Sequence, residues 1–158
     1  MHQVYKIYSK NTNFREFSVK IKRNMEITKE LIKIFADWTK LKIRIHASEK
    51  EIYFKDRQVW WTNLGKNIGV EADGKNINFE RPVIILKRFN KHSFLGIPLS
   101  SRVKIGGYYL QLKDIKGRSS VVNLSQIRIM SSKRLIREIE EISESDSKLI
   151  KETIKNYL

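Results

Sequence analysis

Arg81-Pro82-Val83-Ile84-Ile85-Leu86 opens on a charge and runs into the most apolar short stretch of the chain. Four consecutive aliphatic residues after a loop of Gly, Asn and charged residues predict a core strand. Pro82 fixes its own φ, lacks an N–H and biases Arg81 toward extended backbone. The arginine is therefore held at the first turn of a rigid core strand, beside a pliable loop. Its planar fork of donors matches a phosphate.

Working outward, the chain reads as short strands at close spacing. Val59-Trp60-Trp61 begins one, Val83 to Lys87 is the next, and Phe94 to Leu99 follows through a tight turn at Phe89–His92. Tyr108 to Leu112 and Ser119 to Leu124 are joined by a Lys-Asp-Ile-Lys-Gly-Arg turn, and Ile127 to Met130 is short. Val59 and Trp61 share a strand face, which we expect to point into the core. Trp60 then packs beneath a helix, lines a dimer contact or stacks on a base. Upstream, Ile27, Leu31, Ile34, Phe35, Trp38, Leu41 and Ile45 recur at three- and four-residue steps, which predicts an amphipathic helix over 26–45. Its apolar face must bury somewhere, and docking on the strands through Trp38 is the expectation. Ser132-Lys133-Arg134-Leu135-Ile136-Arg137 begins a predicted helix with Leu135, Ile136 and Ile139 along one side; Ser143 or Ser145 caps a last helix through Leu149, Ile150 and Ile154. The expected architecture is mainly β (α+β): a small, partly open barrel with an N-terminal helix and C-terminal helices. We divide the chain into a basic segment 1–24 (a strand pair or an arm, with Met25 a possible second start), a helical extension 25–50 and a barrel domain 51–158.

Composition narrows the function. The chain has 158 residues and a formal charge of +15, with net +7 in residues 1–50, +3 in 51–100, +7 in 101–134 and −2 in 135–158. Such a field attracts polyanions, nucleic acid first among them, though a solvated basic surface or an acidic protein partner answers to the same numbers. Cysteine is absent, which excludes disulfides and thiolate metal sites and fits a reducing compartment. No apolar stretch approaches the roughly 18–20 residues needed to cross a bilayer, and the N-terminus has no signal-like apolar region; a cytoplasmic protein with no membrane contact is the expectation. His2, His46 and His92 lie far apart without an HExxH pattern, so no metal is expected, and Gly65, Gly69 and Gly74 match neither nucleotide-loop fingerprint, so no cofactor is expected.

The loop before Arg81 places Glu71 between Gly69 and Gly74, on backbone able to reach back over the strand ends. A carboxylate and an arginine at one phosphate are sufficient parts for a ribonuclease that uses the ribose 2′-OH as nucleophile. The carboxylate takes the proton and the arginine answers the developing charge. A Glu71–Arg81 salt bridge without catalytic meaning is the alternative. Ser100 and Ser101 follow the strand-ending Pro98-Leu99, where hydroxyls either bind phosphate or satisfy a turn; Arg102 and Lys104 come directly after.

In order, the motifs R-x-V-W-W-x-x-L-G, G-x-E-x-x-G, R-P-V-I-I-L, P-L-S-S and S-S-V-V-N-L-S-Q-I-R followed by K-R-L resemble the PemK/MazF family of toxin endoribonucleases, over about residues 55–142. The resemblance implies an SH3-like barrel, a homodimer and metal-independent cleavage of single-stranded RNA, including mRNA, to a 2′,3′-cyclic phosphate and a 5′-OH end. It also implies a cognate antitoxin, acidic where it docks. Arg81 falls on the family arginine, Glu71 on the loop glutamate and Ser100 on the Thr or Ser after the proline; these are the candidate catalytic residues. Lys66, Lys75, Ser101, Arg102, Lys104, Arg118, Asn123, Ser125 and Arg128 are candidate RNA contacts. The chain departs from the pattern at Asn123, where some members carry Arg, and at Ser125, where many carry Asp or Glu, so proton abstraction falls to Glu71 or moves elsewhere. A barrel of this kind that holds RNA or protein without cutting is the second reading.

Overall fold

The computed structural model describes residues 27–102, 106–115 and 117–157. The basic segment 1–24, Met25 and Lys104 lie outside the described residues. The chain separates into two compact units, residues 1–35 and 36–158. Helix α1 (Lys29–Ala47) starts in the first, where Thr28 Oγ1 accepts from the Leu31 N–H at 3.1 Å as an N-cap, and ends in the second.

Seven strands build the second unit: β1 (Gln58–Asn63), β2 (Glu80–Arg88), β3 (Ser93–Ser100), β4 (Tyr109–Ile115), β5 (Arg118–Asn123), β6 (Arg128–Ser131) and β7 (Leu135–Glu141). They form one antiparallel sheet in the order β4-β5-β3-β2-β1-β7, with β6 also paired to β3, and the sheet does not close. The strand expected from the apolar run lies at its centre. Ile84 and Leu86 join Val59, Ile97, Leu99 and Val122 in one cluster, whereas Val83 and Ile85 join Trp60, Phe94, Met130 and Leu135 in another. Period-two alternation sends successive residues to opposite faces, so a strand with cores on both sides must be apolar throughout. Helix α2 (Glu144–Lys155) is capped by Ser143, whose Oγ accepts from the Asp146 N–H at 3.0 Å, and it seats Ile150 in the first cluster.

Two expectations are corrected. Residues 132–142 are not a helix: a 3₁₀ turn at Ser132–Arg134 leads into β7, which pairs with β1. The register runs Trp60↔Glu138 and Trp61↔Arg137 but shifts on either side, leaving Ile139 and Ile136 as extra residues on β7. Two bulges thus break strand alternation into one- and three-residue steps that imitate a helical face. The tertiary need of β1 for a second partner overrides that local pattern. The second correction concerns the tryptophans. Trp60 is the buried one, at 8% exposure, with its Nε1–H donated to Gln58 Oε1 at 3.1 Å, while Trp61 on the Val59 face is only half-buried and lines a cavity. Trp60 therefore packs and does not stack on a base.

Trp38 does bury as expected, at 7% exposure, against Phe79 with ring centroids 5.5 Å apart. Gly65 makes the fit possible: its φ is +103°, and a Cβ there would lie 2.4 Å from the Trp38 ring. Arg134 lies 5.5 Å over the same ring and donates to the Asn63 and Leu64 carbonyls at 2.9 and 3.3 Å. Burial, and then the like charge of Arg128, hold the Arg134 guanidinium below its ordinary pKa.

Candidate active site

The site forms where β2 and β3 part. Their ladder begins at Val83↔Pro98; beyond it β3 pairs on its other edge with β5, Leu99 opposite Val122 and Ser100 opposite Val121. The chain's two prolines, Pro82 and Pro98, sit at this divergence, where no N–H is required of them. Arg81 fills the resulting wedge. Its Nη1 donates to the Leu99 carbonyl at 3.1 Å and its Nε to the Asp73 carbonyl. A side chain thus replaces the ladder bond lost when the strands separate. Two of the five guanidinium N–H donors are used, and three remain on a side chain that lines a cavity wall. Burial pushes the Arg81 pKa below its ordinary value, and the nearby Asp73 charge opposes that; at pH 7 the group remains a cation.

The loop between β1 and β2 is folded back over this wedge. Gly74 N–H bonds to the Gly65 carbonyl at 2.7 Å, and a Cβ on Gly74 would meet the Phe79 carbonyl oxygen at 1.8 Å, so only glycine permits the crossing. Asp73 organises the turn: Lys66 Nζ pairs with Oδ2, and the Asn67 N–H donates to Oδ1 at 2.6 Å. Gln126, in the 3₁₀ turn Leu124–Gln126 after β5, tethers the loop by accepting from the Ala72 N–H at 2.8 Å. Glu71 is exposed, and its Oε2 accepts from the Ile68 N–H at 3.3 Å within its own turn. The expected alternative, a Glu71–Arg81 salt bridge, is not what holds Arg81, whose guanidinium donates to two main-chain carbonyls.

Glu71, Arg81, Ser100 and Asn123 surround one cavity of about 180 Å³, with Asp73 and Tyr109 also on its wall. A larger cavity of about 540 Å³ is lined by Arg81, Ser100, Ser101 and Lys75 together with Trp61, Glu80, Ile115 and Ile139. Glu80, the residue before Arg81, is buried at 6% exposure. Burial pushes its carboxyl pKa up, but hydrogen bonds from Arg137 (3.4 and 3.2 Å) and Asn78 (3.1 Å), the positive charge of Arg137 and a hydrogen bond with Asn76 together hold it below the usual range.

The remaining expected contacts scatter. Ser100 Oγ accepts from the exposed Arg102 N–H at 3.2 Å; Ser125, also exposed, donates to Asn123 Oδ1 at 2.8 Å. Arg128 is half-buried on β6, opposite Gly96, with its charge felt by Arg134. Arg118 opens β5. Asp73, Gln126, Trp61 and Tyr109 are site residues that sequence reasoning missed. Among the described residues no group of three or more His, Cys, Asp or Glu side chains could hold a metal ion, and no helix is long and apolar enough to cross a membrane.

Residues 55–158 match the family model described as PemK-like, MazF-like toxin of type II toxin-antitoxin system. No curated protein sequence matches the chain. Among solved structures, MazF (Form-I) from Deinococcus radiodurans superposes with a TM-score of 0.55 at 16% identity, covering 68% of this chain and 97% of its own. An endoribonuclease in complex with its cognate antitoxin from a mycobacterial species gives 0.52 at 12% identity, covering 66% and 93%. At such identities the likeness is one of fold.

Proposed function

Because the chain belongs to the PemK-like, MazF-like toxins of type II toxin–antitoxin systems, we propose that it is a metal-independent endoribonuclease cutting single-stranded RNA at Arg81. The observation that carries this reading is Arg81 itself: a half-buried cation fixed by two carbonyls, with donors to spare, on a cavity wall shared with Glu71 and Ser100. Glu71 accepts the 2′-OH proton as the 2′-oxygen attacks phosphorus. Arg81 and the Ser100 hydroxyl donate to the phosphoryl oxygens as charge builds on them. The bond from phosphorus to the 5′-oxygen breaks, that oxygen takes a proton from water, and the products are a 2′,3′-cyclic phosphate and a 5′-OH end. Arg81 keeps its proton throughout; a guanidinium is an electrostatic partner and not an acid.

The basic surface guides mRNA to the site and receives an acidic cognate antitoxin, and the protein acts in the cytoplasm as a homodimer. Incubation with a long unstructured RNA in EDTA tests the proposal. Fragments whose 5′ ends are phosphorylated directly by polynucleotide kinase are expected from the wild type and not from Arg81→Ala; intact RNA at high protein concentration would sink it. Ser125, standing where many relatives carry a carboxylate, favours the second reading of a barrel that holds RNA without cutting, which salt-sensitive binding without products would select.

A further inference from the structure

Arg81, Leu99 and Ser100 line both cavities. A phosphate held by the guanidinium therefore stands at the partition between a small chamber of about 180 Å³ and a large one of about 540 Å³. Glu71 belongs to the small chamber only. The ribose whose 2′-OH it deprotonates must lie on that side. An in-line displacement places the departing 5′-oxygen opposite the attacking 2′-oxygen, so the nucleoside on the 3′ side of the cut emerges into the large chamber.

That chamber suits a base. Its walls include Trp61, Ile115 and Ile139, and Ser101 and Ser119 add hydroxyl-bearing residues to the same lining. Arg137 lies over the Trp61 ring at 5.0 Å, and the half-buried indole remains part of the chamber wall, an aromatic surface of the kind on which bases stack. Trp38 and Trp60, by contrast, are spent on packing.

We propose that the large chamber is the seat of the nucleoside leaving on the 3′ side of the scissile phosphate, with Trp61 as its stacking wall. The inference rests on the ribonuclease reading, because the direction of the chain comes from Glu71 acting on the 2′-OH. Isomeric mononucleotides test it without turnover. A nucleoside 5′-monophosphate puts its base into the large chamber when its phosphate is at Arg81; the 3′-monophosphate of the same nucleoside sends its base the other way.

The 5′-monophosphates of the four ribonucleosides should quench the half-exposed Trp61 fluorescence saturably, and the 3′-isomers should not. Trp61→Leu should weaken 5′-monophosphate binding by calorimetry about tenfold, as loss of base stacking does, and Trp61→Phe should restore most of it. Equal quenching by both isomers, or an unchanged affinity in a folded Trp61→Leu variant, overturns the proposal. RNA cleavage by the wild type is assayed in parallel. Cleavage without 5′-selective quenching removes the chamber and leaves the nuclease standing; 5′-selective quenching without cleavage keeps the nucleoside pocket and removes the nuclease.

Discussion

Two glutamates flank Arg81 and live opposite lives. Glu80 precedes it on β2, is 6% exposed and takes hydrogen bonds from Arg137 and Asn78; Glu71 lies on the loop above, exposed, with one long bond from its own turn. A carboxylate saturated by donors is stabilised as the anion and is a poor proton acceptor. One with open lone pairs can take a proton and give it back. The difference fits Glu80 as a holder of the strand end and supports the proposal that Glu71 does the chemistry.

The sharpest break of this comparison is Glu71→Gln. It should lower kcat by about 10²–10⁴-fold, the usual worth of a positioned proton acceptor, while the unfolding free energy measured in urea moves by no more than about 0.5 kcal/mol, as at other exposed positions. A variant that unfolds early with normal turnover would reverse the two roles. Next in size, Arg81→Lys keeps a charge but loses the fork that reaches two carbonyls and still has donors to spare; cleavage should fall about 10²–10³-fold by single-turnover assay, as when a transition-state donor is removed.

Glu80→Gln should act on stability, costing about 1–3 kcal/mol by urea unfolding because a charge-assisted pair is lost in a buried place. The pH dependence has a definite sign. Glu80 is held below its unfolded pKa, so its contribution is present above the ordinary carboxylate range and is lost as pH falls through the lowered folded value. The wild type should lose stability more steeply than Glu80→Gln on that acid limb. Smallest, Gln126→Ala removes the tether on the Ala72 N–H; a loss of about 0.5–1.5 kcal/mol in local opening, read by hydrogen exchange at Ala72, is expected.

Legibility followed physical locality. The β2 strand was readable because burial on both faces forces four aliphatic residues in a row, and Glu71, Arg81, Ser100 and Asn123 meet at one cavity as the motif order implied. The strand β7 was not readable, because its two bulges rewrite the hydrophobic period. Asp73 escaped notice for another reason: what it offers Arg81 is a main-chain carbonyl, which any residue carries. Gln126 contributes one bond across 54 positions, and no local spacing encodes that. Trp61 was misjudged through the assumption that a shared strand face is buried along its whole length; Val59 is covered, but its neighbour on that face opens onto the unclosed seam near Ile115 and Ile139.

Those bulges have a further consequence for how the protein survives at high concentration. An unclosed sheet offers its terminal strand as a template for other chains, and β7 ends the strand order. Extra residues at 136 and 139 kink that border, and charged side chains (Arg137, Glu138, Glu140 and the Arg57-paired Glu141) line it. A straight, neutral β7 would invite edge-to-edge polymerisation; the irregular, charged one makes each molecule a poor template for the next.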